Sequence, residues 1–273
     1  MTTNGDDLIR KHYRAQAESD GDSPLSTIGE RVVREKEVEL IRSFLGTVRR
    51  KTASNELKIL DAGCGNGYTL ASLVRDHPGC EFRGLEFTEE LLAIARAREL
   101  PRCTLDHGDI RCTPYQSSFY DVVYTERCLI NILDWQEQKQ ALDEIARILK
   151  PSGYYLMIEC FSDGLENNNK ARKEMGLDEI EPAYHNKYFE KDRLFEAVQG
   201  TLRLVDPAEL DPDEGRNLLR SNFLSSHYFV ARVLHPLITK GDWVRNTEFV
   251  KFFSFLPPVG NYSPVQAYIF EKL

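Results

Sequence analysis

Leu57-Lys58-Ile59-Leu60-Asp61-Ala62-Gly63-Cys64-Gly65-Asn66-Gly67 decides the fold. An apolar run enters a turn with glycine at three alternate positions, and the helical pattern TLASLVRD (69–76) follows. Glycine allows positive φ and lets a ligand come close to the main chain, so this strand–turn–helix predicts a ligand crevice at the end of a strand. A dinucleotide fingerprint would need its third glycine at position 68, where Tyr68 stands. The carboxylate of Asp61 would also repel a pyrophosphate and favour a cationic group.

Outward from this stretch, short apolar runs alternate with helical patterns. EFRGLE (81–86), CTLDHGD (103–109), DVVYTE (121–126) and YYLMIE (154–159) read as strands, and EELLAIARAREL and DWQEQKQALDEIARIL as helices. Asp134 and Glu137 have the spacing of a capping box, and Pro151-Ser152-Gly153 ends the helix before the next strand. The alternation predicts an α/β, doubly wound, mainly parallel sheet covered on both faces. Asp61, Glu86, Asp109 and Glu126 then fall at the carboxyl ends of four successive strands, the edge where open α/β sheets bind ligands. Glu86 can accept from both hydroxyls of a ribose, Phe87 can offer its face to an adenine, and Asp109 beside the N–H of Ile110 can read that base. Together they describe an adenosine pocket.

Beyond residue 160 come helical patterns in LENNNKARKEMGL and EKDRLFEAVQ, a strand in LRLVDP and a terminal strand in VQAYIFEKL. The aromatic- and arginine-rich block at 208–264 reads as an inserted helical cap. Residues 1–54 are expected to form an N-terminal helical segment over the crevice, and residues 55–273 the sheet domain with that cap.

Composition narrows the function. Of 273 residues, 41% are hydrophobic and 29% charged, as in an ordinary globular chain. The formal charge is −8, which argues against nucleic acid, since phosphate neutralisation supplies most of that affinity. A membrane span is not expected because no segment approaches 18 uninterrupted apolar residues, and a cytoplasmic location is expected. The six cysteines include no C-x-x-C pair and read as reduced core thiols. No spaced acidic set points to a metal, and Glu159 and Asp163 near a strand end are not expected to hold magnesium.

As a set, these motifs resemble the class I S-adenosylmethionine-dependent methyltransferases over about residues 30–207 and the final strand. The resemblance implies a seven-stranded sheet of order 3-2-1-4-5-7-6 with the last strand antiparallel. It places the methionine part of S-adenosylmethionine on the turn of Gly63 and Gly65 near Asp61, the ribose on Glu86, and the adenine on Phe87, Asp109 and Ile110. The segment from Glu126 through Arg127 to Asn131 would line cofactor and acceptor. Arg34, in a helix expected to fold over the cofactor, would meet the methionine carboxylate. A small acceptor is expected, because motifs for nucleobase, glutamine or protein arginine methylation are absent. Tyr13 could close over the cofactor, His185 could act as general base beside Tyr184, and His227 in the cap could reach the acceptor. Arg216, Arg220 and Arg232 could face an anionic acceptor, and the cap aromatics would form either core or a homodimer interface. A non-catalytic cofactor-binding subunit of the same fold is the alternative.

Overall fold

Hydrophobic residues fill both faces of the central strands, so those strands must lie between two helical layers. The computed structural model describes residues 4–239 and 246–273; positions 240–245, inside the expected cap, lie outside the described residues. The strands are β1 (Lys58–Ala62), β2 (Glu81–Glu86), β3 (Cys103–His107), β4 (Tyr120–Glu126), β5 (Leu149–Cys160), β6 (Leu202–Leu204) and β7 (Val265–Lys272). They form one sheet of order β3-β2-β1-β4-β5-β7-β6. β7 runs antiparallel to β5 and β6 and the remaining pairs are parallel. This is the order, with the antiparallel last strand, that the family resemblance implies. Ile59, Leu60, Val122, Val123, Tyr155 and Met157 are fully buried at its centre.

Helices α1 (Asn4–Asp20) and α2 (Arg31–Thr52) precede β1; α3 (Tyr68–Leu73), α4 (Glu89–Ala97) and α5 (Trp135–Ile148) connect the parallel strands. α6 (Ser162–Glu174) and α7 (Lys191–Val198) follow β5. α5 buries Ala141, Leu142, Ile145 and Ile148, the stripe its periodicity predicts. Its start corrects one detail. Asp134 caps the N–H groups of Gln136 and Glu137, yet the Glu137 side chain reaches Arg111 instead of returning to the cap. The box is half formed, because an ion pair to a guanidinium outweighs a bond to one exposed N–H. Pro151-Ser152-Gly153 lies within β5, which starts immediately after α5, so the helix ends before that turn.

Within the cap, Ser225–Phe229, Val230–Leu234 and His235–Thr239 follow one another as α, π and α turns. Tyr228 and His235 are buried, whereas Phe252 and Phe255 are exposed.

Candidate functional site

The crevice at the carboxyl edge of β1–β4 begins with main-chain geometry. Gly63 takes φ +90°, and the Cβ of any other residue would lie 2.5 Å from Cys128 Sγ. Glycine is therefore required by the protein's own thiol, more directly than by the room a ligand needs. The N–H groups of Gly63 and Cys64 donate to the Leu85 carbonyl, tying the turn to β2. Glu86 completes the tie: Oε2 accepts from Gly65 N at 2.8 Å and Oε1 from Thr88 N at 2.8 Å. Burial raises its pKa against the pull of these donors.

Asp61 and Tyr124 are register partners in β1 and β4, so their side chains share a face. Tyr124 donates to Asp61 Oδ2 at 2.9 Å, while buried Oδ1 has no hydrogen-bond partner among the described residues. Burial, followed by the negative charge of Glu126, pushes the Asp61 pKa well above the ordinary carboxylate value. A cationic donor would satisfy that oxygen and return the group to its charged form.

Beneath this wall lies a buried ionic cluster. Arg34 bonds Glu126 and the Thr27 hydroxyl, and Thr69 donates to Glu126 Oε2 at 2.7 Å. Arg127 grips Glu37 at 2.8 and 3.2 Å and donates to Thr27 O. Burial would lower the Arg127 pKa, but Glu37 and Glu126 hold it above its ordinary value. Arg127 also adopts φ 54°, a left-handed turn that sends the chain from β4 back over the pocket. Glu159, fully buried, then accepts from the N–H groups of Cys128, Leu129 and Ile130 at 2.9–3.2 Å. It anchors the segment that carries Asn131.

Helix α1 closes the pocket from above. Asp6, Ile9 and Tyr13 line it from one helical face, and Tyr13 donates to Asn131 Oδ1 at 2.8 Å. His12 stacks on His185 with ring centroids 3.8 Å apart and pairs with the Tyr184 hydroxyl at 3.0 Å. Arg10 lies 4.4 Å over the ring of Phe87.

One pocket of about 110 Å³ therefore brings together Tyr13, Arg34, Asp61, Gly63, Gly65, Glu86, Phe87, Asp109, Ile110, Glu126, Arg127 and Asn131. His185 and Tyr184 stand outside that lining, at its mouth. Burial, then the nearby His12, pulls the His185 pKa down to about 4, which makes it a weak proton acceptor. His227 is buried in the foot of the cap against Glu30 and does not line the pocket. The three cap arginines point elsewhere: Arg216 pairs with Asp206, Arg220 with Asn217, and Arg232 with Glu30. Glu159 and Asp163 are committed as well, the latter to Lys191, Gln266 and Asn261. Thr27, Thr69, Asp6, Ile9 and Arg111 were not anticipated. The i, i+3, i+7 spacing of Asp6, Ile9 and Tyr13 was a readable signal for a helix with one face turned inward.

Fold and pocket resemble those of the class I S-adenosylmethionine-dependent methyltransferases, a class whose cofactor is S-adenosylmethionine. Residues 59–153, from β1 into β5, match the family model of a methyltransferase domain. A curated relative, the malonyl-[acyl-carrier protein] O-methyltransferase of Enterobacter lignolyticus, is 28% identical over 163 residues, 58% of this chain and 59% of that enzyme. The chain thus spans less than two thirds of this relative's length. Among solved structures, phosphoethanolamine N-methyltransferase 1 of Haemonchus contortus, in complex with phosphoethanolamine and S-adenosylhomocysteine, aligns with TM-score 0.60 at 12% identity. That alignment covers all of this chain and 50% of the other. A chain of the Haloferax volcanii complex between the Trm112 methyltransferase activator and a methyltransferase aligns with TM-score 0.55 at 15% identity, covering 96% of each chain. At these identities the two structures speak for the fold alone. Among the described residues, no helix is long and apolar enough to cross a membrane.

Proposed function

We propose that this chain transfers a methyl group from S-adenosylmethionine to an oxygen or nitrogen of a small polar acceptor, such as a sugar or natural-product intermediate. The observation that carries this reading is the change of character along one pocket. Acidic groups and their arginines dominate from β3 to β4, while Tyr13, Cys128 and Asn131 make a neutral, hydrogen-bonding wall beyond them. The acidic part suits the cofactor. Asp61 Oδ1 is free to take its ammonium, Arg34 lies where its carboxylate would come, and Glu86 keeps a lone pair on each oxygen for the ribose hydroxyls. Phe87, Asp109 and Ile110 would frame the adenine, and Glu126 would hold Arg34 in place.

Bound S-adenosylmethionine supplies a methyl group on a sulfonium, whose leaving group is a neutral thioether. No leaving-group acid is then needed, and the protein's work is alignment and exclusion of water. Tyr13 and Asn131 would orient the acceptor, and α1 would keep water out. His185, neutral at pH 7 and stacked on His12, would hold the mouth in shape more than it would move a proton. The relative that methylates an oxygen supports an oxygen acceptor here.

Incubation with S-adenosylmethionine and a panel of hydroxyl- and amine-bearing small molecules tests this by mass spectrometry. The expected result is acceptor-dependent S-adenosylhomocysteine and a product heavier by one methylene. Tight cofactor binding with no turnover across the panel would favour the non-catalytic alternative.

A further inference from the structure

At the β3 side of the pocket, three carboxylates from three separate elements converge on one guanidinium. Arg111 Nε lies 3.0 and 2.9 Å from the two oxygens of Asp109, and Nη2 lies 2.6 Å from Asp109 Oδ2. Nη2 also reaches Asp6 Oδ1 on α1 at 2.9 Å, and Nη1 reaches Glu137 Oε2 on α5 at 2.5 Å. The local turn makes this possible. Cys112 N donates to the Asp109 carbonyl and Arg111 N to Asp109 Oδ1, which holds the two side chains together. The Arg111 side chain is 12% exposed, so solvent screens these pairs little, while Asp109 stays 32% exposed and lines the pocket.

We infer that Arg111 is a positioning residue for base recognition: it fixes the carboxylate of Asp109 toward the adenine 6-amino group and, through Asp6, makes closure of α1 part of the same arrangement. An aspartate on a short turn has several rotamers. A two-pronged guanidinium held from behind by Glu137 leaves it one, with the carboxylate still in the pocket lining. An amino group donates to such a carboxylate, whereas a 6-oxo group meets it acceptor to acceptor and leaves both unpaired, so geometry at Asp109 sets the discrimination. Lysine could not do the same, since its single ammonium cannot span three carboxylates in one plane. The inference rests on the proposed adenine role of Asp109.

The test is the ratio of dissociation constants for S-adenosylhomocysteine and S-inosylhomocysteine, measured by calorimetry on the full chain, with dissociation rates followed by surface plasmon resonance. Wild type should prefer the adenosyl ligand by roughly 100-fold or more. Arg111→Gln should cut that preference about tenfold, and Arg111→Lys, which keeps the charge, should cut it too and stands in if the first variant fails to fold. Asp6→Asn should keep the preference while the adenosyl ligand dissociates several-fold faster. Equal losses for both ligands in the Arg111 variants would overturn the positioning role while leaving Asp109 as the base reader. Unchanged dissociation in Asp6→Asn would overturn the link to α1. A wild type without preference, or an Asp109→Ala variant that keeps it, would remove the adenine reading itself and the inference with it.

Discussion

The floor of the pocket and its cover are held to different degrees by buried charge. In the floor, Arg34, Glu126, Arg127 and Glu37 are paired side chains no more than 11% exposed, locked beneath a glycine turn that tolerates no Cβ. In the cover, α1 is held by one well-covered pair, Asp6–Arg111, and otherwise by the Arg14–Glu90 pair at 60% and 35% exposure, a half-buried stack of two histidines and one tyrosine hydrogen bond. Breaking a buried pair strands a charge away from water, whereas exposed pairs contribute little. One pocket thus has a wall locked by buried charge and a wall held mainly by exposed or half-buried contacts.

The sharpest way to break the contrast is Arg127→Met, which leaves Glu37 buried without its partner. We expect a loss of about 3–5 kcal/mol in urea unfolding. A loss below 1 kcal/mol would mean that the floor is no stiffer than the cover. Gly63→Ala should cost about 1–3 kcal/mol from overpacking against Cys128. Adding Cys128→Gly removes the atoms in the way and should recover part of that loss, whereas strictly additive effects would show that backbone strain alone is responsible.

The cover should respond to pH in a defined window. His185 has its pKa lowered from 6.5 to about 4 by burial and by His12, and burial lowers that of His12 as well. As pH falls from about 6.5 toward 4, the released segments take up protons that the closed stack resists, so closure is complete above this window and weakens through it. Proteolysis within α1 should accelerate at pH 5 relative to pH 7.5, and His185→Phe should flatten that dependence; equal cleavage rates at both values would remove the stack from the closure. Smallest of all, Arg14→Ala should change stability by less than about 1 kcal/mol and leave S-adenosylhomocysteine affinity within twofold. A larger change would show that the cover leans on its surface pairs after all.

Legibility in the sequence followed the same division. The four acidic strand ends and the glycine turn could be read because each is a short local pattern tied to a strand that the apolar runs reveal. Arg34 lines the pocket, but its partner Glu126 lies 92 positions away and leaves no local trace. His227 and the cap arginines share a helical pattern with core residues, and that pattern does not say which way the cap faces. Glu137 was read as a cap partner on spacing alone, when an arginine from another loop was the stronger attraction.

By itself, the sequence determined the strand–helix rhythm, the sheet edge that carries the site and the acid-rich character of the cofactor crevice, since period and turn chemistry act over a few residues. Only the tertiary structure decided which side chains of α1 meet the pocket, that Arg111 gathers carboxylates from α1, the β3 turn and α5, and that His185 is a stacked neutral ring. Those outcomes depend on which distant side chains burial brings together, and a desolvated charge takes whichever partner the fold places within reach.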